Sequence, residues 1–79
     1  MSKDRLEVND IWESMLYECV IDKVWGGEEN NPFCCHMICH NKRNGEFSEE
    51  TTNFRDLNTY YNYKGKAKNA PSTWYEVIE

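Results

Sequence analysis

A short segment near the middle of the chain, CCHMICH, gathers cysteine and histidine, the side chains that zinc prefers as ligands. Its candidate ligands are Cys34, His36, Cys39 and His40. A closed structural zinc site needs four ligands, which normally come from two separated pairs, whereas these four lie in one short run. We therefore expect no bound metal and no cofactor, and a small zinc-binding module organised by this segment is the alternative.

The conformation of this segment decides which of its side chains lie together. In a strand, Cys34, His36 and His40 share one face, and Cys35 and Cys39 share the other, because successive side chains alternate. In a helix, Cys35 pairs with Cys39 and His36 pairs with His40, since residues four apart are neighbours. A cysteine nucleophile with a histidine base also needs an orienting group and an oxyanion site, and the spacing identifies neither. We expect no enzymatic activity.

The negative charge of the chain is concentrated at one end. The first thirty residues hold three basic and eight acidic residues, which accounts for the whole net charge of −5. An acidic surface with an aromatic anchor suits a basic surface on another protein, because charge steers the encounter and the ring supplies buried area. The alternative is an ordinary solvated face. The predicted partner-binding residues are Glu13, Glu18, Trp25, Glu28 and Glu29.

Tyrosines and lysines alternate in the segment TYYNYKGKAK. On a strand, Tyr61 and Tyr63 fall on one face, and Lys64, Lys66 and Lys68 fall on the other. Such a segment can bind single-stranded nucleic acid, with lysines on phosphates and rings on bases. The net charge of −5 opposes nucleic-acid binding. We therefore interpret the lysines as a solvated strand face.

The first element predicted to position these residues is an amphipathic helix. Its apolar residues recur at the spacing of a helix from about residue 10 to residue 25, with Asn9 or Asp10 as the cap and Gly26 and Gly27 as the stop. On this helix Trp12, Met15 and Leu16 would be core residues. The apolar positions are Ile11, Trp12, Met15, Leu16, Cys19, Val20 and Val24.

The rest of the chain predicts strands. Asn44-Gly45 is the favoured pair for a two-residue hairpin turn, which makes Arg43 and Glu46 the first cross-strand pair. A helix over residues 32–44 is the alternative. The predicted strands cover residues 33–42, 46–52, 59–68 and 73–78, and the segment TTNFRDLN is a connecting turn or short helix with Phe54 and Leu57 inward. The fold class is α+β, with one main helix on an antiparallel sheet of three or four strands.

Length and composition exclude several classes of protein. A chain of 79 residues forms one small domain, residues 1–79, with few residues left over to wall a deep substrate cleft. No stretch approaches the roughly 20 apolar residues that span a bilayer, and the first residues lack the apolar run of a signal peptide. We expect a cytoplasmic protein, with its four cysteines as free thiols in a reducing compartment.

In size, acidity, its nine asparagines and its aromatic content, the chain resembles the small acidic early proteins that lytic bacteriophages use to take over a host. This resemblance extends over the whole chain and rests on no motif. It implies a non-catalytic inhibitor that binds a host protein in the host cytoplasm. The processes blocked would be cell division, transcription, replication or defence.

Overall fold

A single antiparallel sheet dominates the computed structural model, which describes residues 5–27 and 33–67. In these residues the sheet has five strands in the order β4-β3-β2-β1-β5, and one helix joins β4 to β5. The architecture is α+β with one strand more than the sequence predicted. The elements are β1 Asp10–Glu13, β2 Tyr17–Trp25, β3 Cys34–Asn41, β4 Phe47–Asn53, α1 Phe54–Tyr60 and β5 Asn62–Lys66.

The helix predicted over residues 10–25 is wrong, because this segment forms the β1–β2 hairpin. Trp12 lies opposite Cys19, and Ile11 lies opposite Val20. The apolar spacing is compatible with a helix, but β2 is rich in β-branched and aromatic residues, which favour a strand. As a central strand, β2 also pairs along most of its length with β3, and this tertiary pairing overrides the local helical pattern.

The β3–β4 hairpin is confirmed, and the alternative helix over residues 32–44 is wrong. Its turn differs from the prediction. Asn41 N donates to Glu46 O at 2.8 Å, so Asn41 and Glu46, rather than Arg43 and Glu46, close the turn. The Asn41 side chain accepts hydrogen bonds from the backbone N–H groups of Arg43 and Asn44, at 2.8 and 3.2 Å. Gly45 takes the left-handed conformation at φ 77°, which glycine adopts without steric cost.

The connection from β4 to β5 agrees with the sequence. Asn53 caps α1, because its side chain accepts a hydrogen bond from Asp56 N at 2.9 Å. The helix buries Leu57 completely and leaves Phe54 half-buried against the core. β5 is shorter than the predicted strand over residues 59–68 and pairs with β1. The strand predicted over residues 73–78 lies outside the described residues.

The core lies on one face of the sheet and beneath α1. The prediction that Trp12 is a core residue is confirmed, since only 1% of it is exposed. The same prediction is wrong for Met15, which is 100% exposed, and for Leu16, which is 38% exposed, because both occupy a turn. The buried cluster consists of Leu6, Trp12, Cys19, Ile21, Cys35, Met37, Cys39 and Leu57.

In the described part of the chain, α1 has seven residues, and no helix is long and apolar enough to cross a membrane.

Candidate functional site

The turn between β1 and β2 exposes two large apolar side chains. Ser14 N donates to Tyr17 O at 2.8 Å, and Tyr17 N donates to Ser14 Oγ at 3.2 Å, which closes a loop whose two central residues are Met15 and Leu16. Two-residue hairpin loops favour glycine, asparagine and aspartate, whose conformations fit the turn. Methionine and leucine at these positions bring no such advantage.

The turn between β3 and β4 lies directly beside this one. Lys42 N donates to Leu16 O at 2.8 Å, and Lys42 Nζ donates to Ser14 O at 3.0 Å. The same ammonium contacts Glu13 Oε2 at 3.0 Å. One lysine therefore connects the two turns through its backbone and its side chain, and it holds them in a fixed relative position.

Together the two turns form an open groove, which we call the tip groove and define by Met15, Leu16, Lys42 and Arg43. One wall is apolar and the other is basic. The Lys42 ammonium is engaged with Glu13 and Ser14. Arg43 is exposed, and its guanidinium forms no ion pair with a carboxylate of the described residues. The groove can therefore accept an apolar group and an anionic group side by side.

The acidic residues predicted to bind a partner are distributed differently. Glu18 accepts a hydrogen bond from Lys64 Nζ at 2.6 Å, and Glu13 lies 3.8 Å from the same ammonium. The hydrogen bond from Lys42 lowers the pKa of Glu13, and the hydrogen bond to Glu18 raises the pKa of Lys64. These two carboxylates are thus partnered within the chain and do not form an unneutralised acidic surface.

Trp25 lies away from Glu13 and Glu18. It ends β2, roughly 20 Å from Glu18 at about 3.3 Å per strand residue. Its side chain is 45% exposed. Glu28 and Glu29 lie outside the described residues. Among the predicted partner-binding residues that the structure describes, Trp25 therefore lies apart from Glu13 and Glu18, and the role of the whole set in binding stays a prediction.

The CCHMICH segment is a strand, and it separates the proposed zinc ligands. Cys39 is buried on the core face, whereas Cys34, His36 and His40 lie on the opposite face. Residues 5–27 and 33–67 contain no cluster of three or more histidine, cysteine or acidic side chains arranged to hold a metal ion. The four residues of the zinc alternative thus do not form one site.

His36 has carboxylate neighbours on both sides. Its Nδ1 lies 2.5 Å from Asp22 Oδ1 on β2, and its Nε2 lies 3.0 Å from Glu49 Oε1 on β4. Both ring nitrogens can donate at once only when the imidazole is doubly protonated. These contacts connect three neighbouring strands across the face opposite the core, and we interpret them as structural.

The lysines of β5 are also paired within the chain. Lys66 Nζ lies 2.9 Å from Asp10 Oδ1 and 3.2 Å from Glu7 Oε1, and Lys64 contacts Glu18. The predicted alternation of tyrosines and lysines is confirmed over Asn62–Lys66. In this strand Tyr63 packs against the core, and Lys64 and Lys66 are exposed. Because Lys64 and Lys66 already face carboxylates, this strand offers little charge to a phosphate backbone. Lys68 lies outside the described residues.

The four cysteines differ in accessibility, which leads to a labelling prediction. All four are free thiols, and only Cys34 is partly exposed. Burial raises the pKa of Cys35 to about 12, and the contact with Cys39 together with burial raises the pKa of Cys19. Since the thiolate is the reactive form, a maleimide added to the folded protein is expected to modify Cys34 alone.

Mass spectrometry of the labelled protein should show one adduct per chain, and four after denaturation. The variant Cys34→Ser should show none in the folded state. Rapid modification of Cys19, Cys35 or Cys39 under native conditions would contradict the observed burial.

Sequence reasoning missed the tip groove because it assigned Met15 and Leu16 to a buried helix face. The signal that could have revealed it is the strand-like composition of β2 directly after Leu16.

No protein-family model matches the chain, and no curated protein or solved structure matches it either.

Proposed function

We propose that this protein is a non-catalytic binding module that acts by occupying the surface of another protein through the tip groove. The target is a host protein in the cytoplasm, and binding blocks the process that this protein serves, as in the bacteriophage early proteins that the chain resembles. The observation that carries the proposal is the full exposure of Met15 in a groove that also holds Leu16.

The groove does not serve the fold in any evident way. Met15 and Leu16 contribute nothing to the buried cluster, and their turn would tolerate small polar residues. Positions at which a sequence breaks a local rule without a gain in stability are often functional positions. Contiguous exposed apolar side chains with polar residues around them mark interaction surfaces, and Met15 and Leu16 line one groove together with Lys42 and Arg43.

The apolar side chains of the groove can supply part of the free energy of binding. Complete burial of one methionine or leucine side chain contributes about 1.5–3 kcal/mol. The groove is also held in place by the hydrogen bonds of Lys42 to Leu16 and Ser14, so little ordering is needed when a partner binds. Methionine adapts its shape to the surface that it contacts, which suits an anchor residue.

The test is affinity capture from bacterial lysate with three forms of the full chain, followed by identification of the retained protein and measurement of its affinity. The wild-type chain is compared with Met15→Ser and with Trp25→Ala, which removes an exposed ring at the other end of β2. We expect Met15→Ser to weaken binding by at least about tenfold, the equivalent of about 1.4 kcal/mol, and Trp25→Ala tests the binding role predicted for Trp25.

Three results would count against the proposal. Loss of binding in Trp25→Ala but not in Met15→Ser would locate the contact at the end of β2 instead. Equal retention of one partner by all three forms would exclude both surfaces. Capture of no specific protein by the wild-type chain would contradict a protein-binding function.

A further inference from the structure

We infer that the tip groove recognises a segment of the partner in which a large apolar side chain stands close to an aspartate or glutamate. This inference rests on the proposed function and adds the chemistry of the partner to it. It reverses the expectation from composition, which favoured a basic partner for a chain of net charge −5.

The apolar half of the recognition follows from Met15 and Leu16. Both are central residues of one tight turn, and their side chains face the same groove. An aliphatic or aromatic side chain placed between them removes apolar surface on both sides from water. The flexible thioether of Met15 accommodates several shapes, so the groove selects for size and hydrophobicity more than for one residue type.

The preference for an acidic residue follows from a difference between Lys42 and Arg43 in how their charged groups are used. The Lys42 ammonium already contacts Glu13 Oε2 and Ser14 O, both at 3.0 Å. Arg43 uses its backbone N–H for the turn, in a hydrogen bond to Asn41 Oδ1, and its guanidinium is left for a ligand. A guanidinium binds a carboxylate through two parallel hydrogen bonds, which gives both energy and orientation.

A carboxylate on a peptide fits this site better than an anionic membrane does. One guanidinium supplies one positive charge, which matches a single carboxylate. A lipid surface instead presents many negative charges, and a protein of net charge −5 is repelled by it at long range.

The experiment is selection from a library of random displayed peptides against the full chain, in parallel against Arg43→Glu and Met15→Ser. The wild-type chain should enrich peptides that place Asp or Glu near a large apolar residue. The Arg43→Glu chain should instead enrich Lys or Arg near the apolar residue, and it should bind the wild-type peptides at least about tenfold more weakly. Arg43 is exposed, so circular dichroism should show both chains equally folded.

Selection of peptides without an acidic preference, enrichment of the same peptides by both chains, or no enrichment at all would overturn the inference. So would co-sedimentation with phosphatidylcholine–phosphatidylserine vesicles that Met15→Ser abolishes, since this result would assign the groove to a membrane. Adding Arg43→Glu to the lysate capture distinguishes failure of this inference from failure of the proposed function. A partner that depends on Met15 but not on the charge of residue 43 leaves the proposed function standing and refutes the inference alone.

Discussion

Replacing Lys66 by methionine is expected to lower the free energy of unfolding by about 3 kcal/mol, because it removes the cation beside a buried carboxylate. Asp10 is 0% exposed, and the Lys66 ammonium lies 2.9 Å from its Oδ1. Methionine keeps the length of the apolar stem, so the change removes charge more than packing. A small domain has only a few kcal/mol to lose, and a large fraction of the variant should be unfolded.

The matched control is Lys64→Met, two residues along the same strand. Lys64 faces Glu13 and Glu18, whose side chains are 32% and 21% exposed, so water can solvate both carboxylates after the change. Its expected cost is below about 1 kcal/mol. Urea unfolding followed by circular dichroism measures both variants. Equal losses in the two would show that the burial of Asp10 is not what makes Lys66 important.

A second variant and the pH dependence identify the origin of the effect. Asp10→Asn in the Lys66→Met background should recover part of the lost stability, because it removes the buried charge.

In the parent chain, partial burial lowers the pKa of Lys66, but the hydrogen bonds to Asp10 and Glu7 outweigh it and raise the pKa above 10.5. A raised folded-state pKa means that this contribution is fully present below 10.5 and is lost as the pH rises through the folded value.

Trp12→Ala is expected to cost about 3–5 kcal/mol and to leave little folded protein. Trp12 is 1% exposed, and its ring packs edge-on against Tyr63 and Phe54, with centroids 5.5 and 6.4 Å away. Through these contacts it joins β1 to β5 and to the start of α1. Truncation of the Trp12 side chain therefore opens a cavity between β1, β5 and α1. The cost of this cavity adds to the transfer free energy lost with the ring.

Trp25→Ala is the control for the same truncation at an exposed position. Trp25 is 45% exposed and lies at the end of β2, so its loss should change the urea midpoint only slightly. Trp12→Phe should be milder than Trp12→Ala, because it keeps a ring in the core and removes a buried Nε1 that has no hydrogen-bond partner among the described residues. A Trp25→Ala variant as unstable as Trp12→Ala would contradict the division between core and exposed ring.

Much of the fold was predictable because it depends on short-range alternation. In β3 and β5 every second side chain faces the core, and this period is visible in the sequence itself. Gly45 likewise marked a turn through its conformational preference. The prediction was wrong for β1 and β2, since the apolar residues of this segment fit a helical and a strand period equally well.

The candidate site was not predictable from the same pattern. Met15 and Leu16 are apolar residues at helical spacing, and such residues are usually buried. Their burial depends on which strand pairs with β2. That strand is β3, which comes later in the chain. Because residues 10–25 form two paired strands instead of a helix, Met15 and Leu16 lie in an exposed turn and not in the core.

By itself the sequence determined where the acidic residues are concentrated, and it favoured the strand conformation that separates Cys34, His36 and His40 from Cys35 and Cys39. Only the tertiary structure decided which of those acids are neutralised. Glu18 meets Lys64 across a sequence separation of 46 residues, and Glu13 meets Lys42 across 29. Contacts of this kind depend on strand order and register, which arise from the packing of the whole sheet, so no local pattern of residues specifies them.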